Sequence, residues 1–350
     1  MIHQMNIYGK DKVQVAIERL KTFEPPEGYY LAFSGGKDSV TIKALADMAG
    51  VKYDAHYNYT TVDPPELVYF VRSFPDVKME SAHYKDGTRV TMWNLIERHT
   101  MPPTRLARYC CAYLKENNEH SKGRFVITGV RWDESVKRKN TRGGVEVSSK
   151  KTGQREHIDP DNNDEETVHY CMQKQQRIIN PIIDWTTEEV WEFIREYNVR
   201  YCELYDQGFK RLGCVGCPFG TVASRERDFE RYPKFKEAYL RAFDRMIKNM
   251  ERRGGYKPIT RKQPSNFTGN GWLNDNGQDW NPAKMDELVD EDVNEKIPGG
   301  GGVGRSSFRR KKQWSGSSTV ESKRARPGSD NVVADMRFKT AEEIMQWWIN

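Results

Sequence analysis

Apolar residues recur at helical spacing in residues 12–23 (Val13, Val15, Ala16, Ile17, Leu20), which predicts an amphipathic helix. The period then changes. Tyr29-Tyr30-Leu31-Ala32-Phe33 is an unbroken apolar run that predicts a short buried strand, and a helix resumes through Val40, Ile42, Leu45 and Met48 until Gly50 stops it. Tyr53 to Tyr59 predicts a second strand, and Pro64-Pro65-Glu66 opens a helix through Leu67, Phe70 and Val71. Another helix carries Met92, Leu95 and Ile96. Arg124-Phe125-Val126-Ile127-Thr128-Gly129 predicts a third strand. Strands alternating with helices imply an α/β fold: a doubly wound, mainly parallel sheet covered on both faces. Ligands of such sheets sit beyond the carboxyl ends of the strands.

The pattern lapses over residues 137–177, which run from basic (Lys137, Arg138, Lys139, Lys150, Lys151) to acidic (Asp159, Asp161, Asp164, Glu165, Glu166) and read as an insertion. Regular structure is expected again from Ile178-Ile179-Asn180-Pro181-Ile182-Ile183. Thr186-Thr187-Glu188-Glu189 is a capping box for a helix burying Val190, Phe193 and Ile194. A single long charged helix is expected over 223–252. Beyond it the sequence predicts an irregular extension at 253–298, a flexible basic tail at 299–332 opened by Pro298-Gly299-Gly300-Gly301-Gly302, and an amphipathic C-terminal helix at 333–350. The C-terminal region as a whole thus reads as mostly helical and partly disordered. In the last helix Thr340 caps, Glu343 closes the box, and Ile344, Met345, Trp347, Trp348 and Ile349 form an apolar face expected to dock on the body.

Composition narrows the class. With 37% hydrophobic and 30% charged residues in a chain of 350, a sizeable core and a well-solvated surface are both expected. No apolar run approaches the ~18 residues of a membrane span, and the start shows no signal-peptide core, so the chain reads as cytoplasmic with no membrane partner. In that compartment six Cys favour metal ligation or catalysis over disulfides. The net charge of +6 is local: residues 299–330 hold eight Lys/Arg against two acidic residues, and the rest balances. Attraction to nucleic acid therefore belongs to the tail, where Phe308 and Trp314 lie among the basic residues of 305–326.

Two constellations carry chemistry. Ser34-Gly35-Gly36-Lys37-Asp38-Ser39 lies between the first strand and a helix. Two glycines let the backbone bend close to an anion, the following amides sit at a helix N-terminus, and Ser34, Ser39 and Lys37 add donors and charge. The spacing is not that of a Walker A loop. Arg131, at a strand end, is placed as a second phosphate cation. Asp38 and Asp63 read either as Mg²⁺ ligands or as helix-terminal acids. The second constellation pairs Cys110-Cys111 with Cys214-Val215-Gly216-Cys217-Pro218, flanked by Arg105, Arg108 and Lys115. Four thiolates suit a [4Fe-4S] cluster; Zn²⁺ or buried free thiols are the alternatives. Cys171, Cys202 and the seven His show no ligand spacing.

The hexad resembles the pyrophosphate (PP) loop of the adenine nucleotide α-hydrolase-like superfamily. Within it the chain resembles the phosphoadenosine phosphosulfate (PAPS) reductase family from about Tyr29 to Gly220. Three further blocks support this: Thr61-Val62-Asp63-Pro64-Pro65-Glu66, Gly129-Val130-Arg131-Trp132-Asp133-Glu134-Ser135 and Pro181-Ile182-Ile183-Asp184-Trp185-Thr186. The cysteine pattern resembles that of adenylylsulfate reductases with a [4Fe-4S] cluster. The resemblance implies ATP, or PAPS or adenylylsulfate (APS), at the loop, with Lys37 and Arg131 as catalytic cations. One feature departs from it: no Cys follows Cys217, where sulfonucleotide reductases carry their nucleophile. The reading that absorbs this departure is an iron–sulfur ATP pyrophosphatase or adenylyltransferase that activates an acceptor for sulfur transfer. The alternatives are a sulfonucleotide reductase using an external thiol, or a non-catalytic nucleotide-binding redox module. The implied partners are an adenine nucleotide, a sulfur donor or thiol reductant, nucleic acid along the tail, and a second copy of the chain.

Overall fold

The expected alternation of short apolar runs and amphipathic helices builds one sheet. The structure, a computed structural model, describes residues 2–6, 9–116, 119–148, 155–161, 164–172, 176–252 and 340–350. It divides into one unit of residues 1–249 with 340–350 and a second of 250–339, nearly all of which lies outside the described residues. The expected irregular extension and basic tail lie there too.

The first half runs α1 (Lys12–Thr22), β1 (Tyr29–Ala32), α2 (Lys37–Ala49), β2 (Tyr53–Asn58), α3 (Pro65–Arg72), β3 (Val77–Glu80) and α4 (Met92–His99). Each helix starts on a visible signal. Asp11 and Gln14 close a capping box on α1, and Pro65 opens α3 with the φ that proline presets. Gly50 ends α2 in the left-handed region, at φ 69°. A helical turn, α5 (Tyr109–Cys111), passes into a π-helical stretch at Ala112–Glu116. The chain continues through β4 (Phe125–Ile127), α6 (Val136–Thr141), β5 (Val145–Ser148), β6 (Arg155–Ile158), α7 (Glu165–Met172), β7 (Gln176–Ile179) and α8 (Thr187–Glu196).

The seven strands pair in the order β3-β2-β1-β4-β7-β5-β6. β3, β2, β1, β4 and β7 are parallel, and β5 runs against both β7 and β6. Strand order reverses between β1 and β4, so the loops following those two strands flank the crevice where doubly wound sheets bind ligands.

Two expectations change. The described residues of 137–177 hold regular structure: β5 and β6 pair antiparallel and extend the sheet. Every residue of β5 is buried, including Glu146, which accepts from Arg142 Nε (2.6 Å), Asn180 Nδ2 (3.0 Å) and Arg155 Nη1 (3.2 Å). The long helix expected over 223–252 is two, α9 (Val222–Arg231) and α10 (Pro233–Arg252). Pro233 has no amide to donate and forces Tyr232 out of helical geometry, to φ −121°, ψ 65°.

The C-terminal helix, Ala341–Ile349, docks on the body as expected. Thr340 caps it by accepting from Glu343 N–H. Trp348 packs against Phe229, Tyr239 and Phe243, and its indole N–H donates to the Pro103 carbonyl at 2.6 Å. Arg225 donates to the Ile349 carbonyl at 2.7 Å. Among the described residues no helix is long and apolar enough to cross a membrane.

Candidate functional site

The Ser34–Ser39 loop leaves β1 and enters α2 as the sequence implies. Gly35 takes φ +72°, and a Cβ there would stand 2.6 Å from Leu67 and 2.8 Å from Val71 of α3, so only glycine fits both the conformation and the space. Gly36 is the N-cap of α2 in extended geometry. Ser39 Oγ donates to the Gly36 carbonyl at 2.8 Å and accepts from Ser34 Oγ at 3.2 Å. The loop's hydroxyls and the first amides of α2 therefore lie together at the β1/β4 crevice.

The charges beside the loop form a chain. Lys37 is 9% exposed, and its ammonium donates to Asp38 Oδ2 at 2.7 Å. Burial lowers the Lys37 pKa from its ordinary value, and the neighbouring Asp38 carboxylate opposes that shift. Arg131, only 1% exposed, donates through Nε to the other Asp38 oxygen at 2.7 Å. Its remaining nitrogens reach the Trp185 carbonyl (3.1 Å), Asp133 (3.3 Å) and Thr187 Oγ1 (3.3 Å). Gly129 allows this approach, since a Cβ there would lie 3.0 Å from Asp38 Cβ. The structure thus brings Lys37, Asp38 and Arg131 together, with all three guanidinium nitrogens of Arg131 engaged by protein partners. Both oxygens of Asp38 are engaged by cations.

Asp63 lies on the loop after β2 and turns inward, accepting from Thr60 N–H (2.8 Å) and Thr60 Oγ1 (2.7 Å). Thr61 sits in the left-handed region at φ 67°, and its Oγ1 accepts from Met92 N–H at 3.0 Å. This loop meets the cysteines: Thr60 Oγ1 lies 3.5 Å from Cys214 Sγ, and Val215 N–H donates to the Val62 carbonyl at 2.8 Å.

Both cysteine pairs face this region. Cys110 and Cys111 lie in α5; Cys214 and Cys217 flank a turn made by Gly216 at φ 70°, where a Cβ would meet the Phe229 ring at 2.5 Å. The Cys110 pKa is raised first by the hydrogen bond to Cys111, then by burial, and then by the charges of Cys111, Cys214 and Cys217, so the four sulfurs lie within electrostatic reach of one another. The same bond from Cys110, helped by Arg108 and Lys115, holds the Cys111 thiol below its ordinary value. Lys115 is raised first by Cys214, then by Asp63 and Cys111, so one ammonium serves both pairs and the β2 loop. Among the described residues no three His, Cys, Asp or Glu side chains converge on a point that could hold a metal ion. Four thiols with a neighbouring cation match a cluster's donor chemistry.

Sequence comparison bears on this geometry directly. Residues 28–219 match the model of the phosphoadenosine phosphosulfate reductase domain, a span holding the loop, the β4–α6 turn and all four cysteines. The chain belongs to the PAPS reductase family. An uncharacterised protein of Methanocaldococcus jannaschii is 28% identical over 211 residues, covering 58% of this chain and 44% of that protein. A second from the same organism is 25% identical over 229 residues. The chain therefore spans less than half the length of these curated relatives, 44% and 40%. The match to adenosine 5′-phosphosulfate reductase of Allochromatium vinosum is short and strong, 49% over 39 residues (11% of this chain, 15% of that one). Among solved structures, PAPS reductase from Candida auris aligns with a TM-score of 0.38 at 16% identity, covering 57% of this chain and 87% of that one. The U34-tRNA thiolase NcsA from Methanococcus maripaludis, with its [4Fe-4S] cluster, aligns at 0.34 and 15%, covering 70% and 82%.

Two residues beside the loop and the cysteines escape sequence reasoning. Tyr205 accepts a hydrogen bond from Lys37 N–H, yet in sequence it reads as one more core aromatic. His99, the last residue of α4, stacks on Tyr109 at 4.1 Å beside Cys110, with its Nε2 buried and unpaired. Burial, then Arg98, lower its pKa from 6.5 to about 4. The unfolded chain therefore takes up a proton that the fold refuses, so this stabilisation is present above pH 6.5 and is lost as pH falls towards 4. His99→Phe, which keeps the stacked ring, should flatten the loss of stability across that window by roughly 2–3 kcal/mol in urea titrations. An unchanged slope would refute the assignment.

Proposed function

We propose that the chain is an adenine-nucleotide-dependent enzyme that activates an acceptor for sulfur transfer. The observation that carries this reading is the β1–loop–α2 cradle, with a buried Lys37 at the β1/β4 crevice and the Cys214–Cys217 turn joined to the neighbouring β2 loop. ATP binds with its phosphates over Gly35 and Gly36, against the α2 amides and the Ser34 and Ser39 hydroxyls. Lys37 neutralises charge on the phosphates, and Arg131, through Asp38, fixes where the Lys37 ammonium stands. An acceptor oxygen forms a bond to the α-phosphorus, the bond to the bridging oxygen breaks, and pyrophosphate leaves with the electron pair. The acceptor's proton passes to water. A sulfur nucleophile then displaces AMP from the adenylylated acceptor.

Cys110, Cys111, Cys214 and Cys217 are the residues that would hold a [4Fe-4S] cluster, whose thiophilic iron supplies a place to carry sulfur. Adjacent thiols suit separate irons of one cluster better than a single tetrahedral Zn²⁺. Asp63 and Asp38 are the carboxylates nearest to a Mg²⁺ role, although Asp38 would first have to give up a cation. A nucleic-acid acceptor is favoured by the basic residues of 305–326.

A second reading, reduction of PAPS or APS by an external thiol, is favoured by the short strong match to adenosine 5′-phosphosulfate reductases. Products separate the two. Full-length protein purified without oxygen should release pyrophosphate from ATP and contain iron and acid-labile sulfide. Sulfite from APS or PAPS with a dithiol, without pyrophosphate from ATP, would replace the first reading by the second. Nucleotide binding with neither product would leave a non-catalytic module.

A further inference from the structure

Tyr205 closes the 3-10 turn Glu203–Tyr205, outside every motif described above. Its ring is fixed edge-on by Trp191 of α8, with centroids 5.0 Å apart, and by Tyr201 at 6.4 Å. Its hydroxyl accepts from the Lys37 N–H at 2.8 Å, the first amide of α2 and one of the donors that a helix leaves without an internal partner. After accepting that bond the phenol still has its own proton to give. Burial keeps the proton in place, holding the hydroxyl well above the usual tyrosine range. The hydroxyl oxygen lies 3.4 Å, and Ser34 Oγ 3.5 Å, from the point a Cβ on Gly36 would occupy, so both oxygens border the space that the glycine keeps open.

The same segment runs straight into the cysteine turn. Gly208 N–H donates to the Tyr205 carbonyl and Phe209 N–H to the Leu204 carbonyl, both at 3.1 Å, which makes 204–209 a single folded loop. Exposed Arg211 follows, and its charge acts on Lys37, Arg138 and Tyr205. Cys214 comes three residues later. Val215 is then tied to Val62 beside Asp63, and Cys217 N–H returns to the Cys214 carbonyl at 3.2 Å.

We propose that Tyr205 is a ligand of the nucleotide's phosphate chain, donating its O–H to a phosphate oxygen over Gly36, and that residues 203–217 thereby carry occupancy of the cradle to the Cys214–Cys217 turn. The proposal rests on the nucleotide-binding reading above and adds to it a specific residue and a route. A phosphate above Gly36 meets the Lys37 amide, the Ser34 hydroxyl and the Tyr205 hydroxyl together. Anchored at Tyr205, the loop opens less often, and the turn at its far end is steadied with it.

The test compares the full-length wild type with Tyr205→Phe, which keeps the ring against Trp191 and removes only the hydroxyl. Calorimetry with ATP and with inorganic pyrophosphate reads affinity, and hydrogen–deuterium exchange reads the two segments separately. In the wild type, either ligand should slow exchange in 34–40 and also in 203–217. In Tyr205→Phe, affinity should fall about tenfold, the scale of one hydrogen bond to a charged group. At saturating ligand the variant should protect 34–40 but not 203–217. Equal affinity, or equal protection of 203–217 in both proteins, would overturn the role of Tyr205 while leaving nucleotide binding intact. If the wild type binds neither ATP nor pyrophosphate, the nucleotide reading itself falls, and this inference with it. Matching thermal melts of the two proteins exclude a folding defect.

Discussion

Lys37→Ala is expected to slow pyrophosphate release from ATP by about 10²–10³-fold, the cost of deleting one preorganised charge where transition-state charge develops. The side chain is 9% exposed at the first position of α2, with its ammonium 2.7 Å from Asp38. Burial disfavours its charged form, so its removal should cost the fold little. Asp38 retains Arg131 as its partner. Circular dichroism and melting should therefore be nearly unchanged while kcat collapses. Lys37→Arg should fail to rescue, because a branched guanidinium does not replace a compact ammonium in a space already bordered by Arg131. Turnover at the wild-type rate in Lys37→Ala would remove the phosphate role of the loop.

Trp348→Ala is expected to destabilise the protein by about 3–5 kcal/mol, in the range for deleting a buried tryptophan, and to lower the melting temperature by roughly 10 °C. Trp348 is 4% exposed among three aromatic rings, and its indole N–H donates to Pro103. The loss should reach the cysteines. Phe229, packed on Trp348, also fills the space over Gly216, and Tyr239 donates to the Val215 carbonyl at 3.2 Å. Arg225 spans the same gap, donating to the carbonyls of Pro218 and Ile349. Hydrogen exchange in 214–220 should therefore rise in Trp348→Ala. Wild-type melting would show that the helix is not part of this body.

The elements that the sequence made legible are those whose pattern and punctuation agree. Tyr29–Ala32 is uniformly apolar, and α8 begins on a capping box that the structure reproduces at Thr186 and Glu189. β3 escaped because Val77 is its one fully buried residue, with Lys78, Met79 and Glu80 partly or wholly in solvent at the sheet edge. β5 escaped for the opposite reason: its Glu146 looks like surface but is buried among two arginines and an asparagine. The break between α9 and α10 was readable at Tyr232-Pro233. For the site, residue types in sequence point to the Ser34–Ser39 loop and the thiols but not to their partners. Arg131 presents a cation in sequence; Asp38 and Thr187, distant along the chain, commit it together with nearby Asp133.

The indole of Trp348 reaches back across 245 residues to Pro103. A contact of that span is slow to close, and it cannot form before the ribosome has translated position 348. On a nascent chain Cys110, Cys111, Cys214 and Cys217 are all made before the buttress behind them exists. The two pairs are therefore braced only once translation has passed Ala341–Ile349.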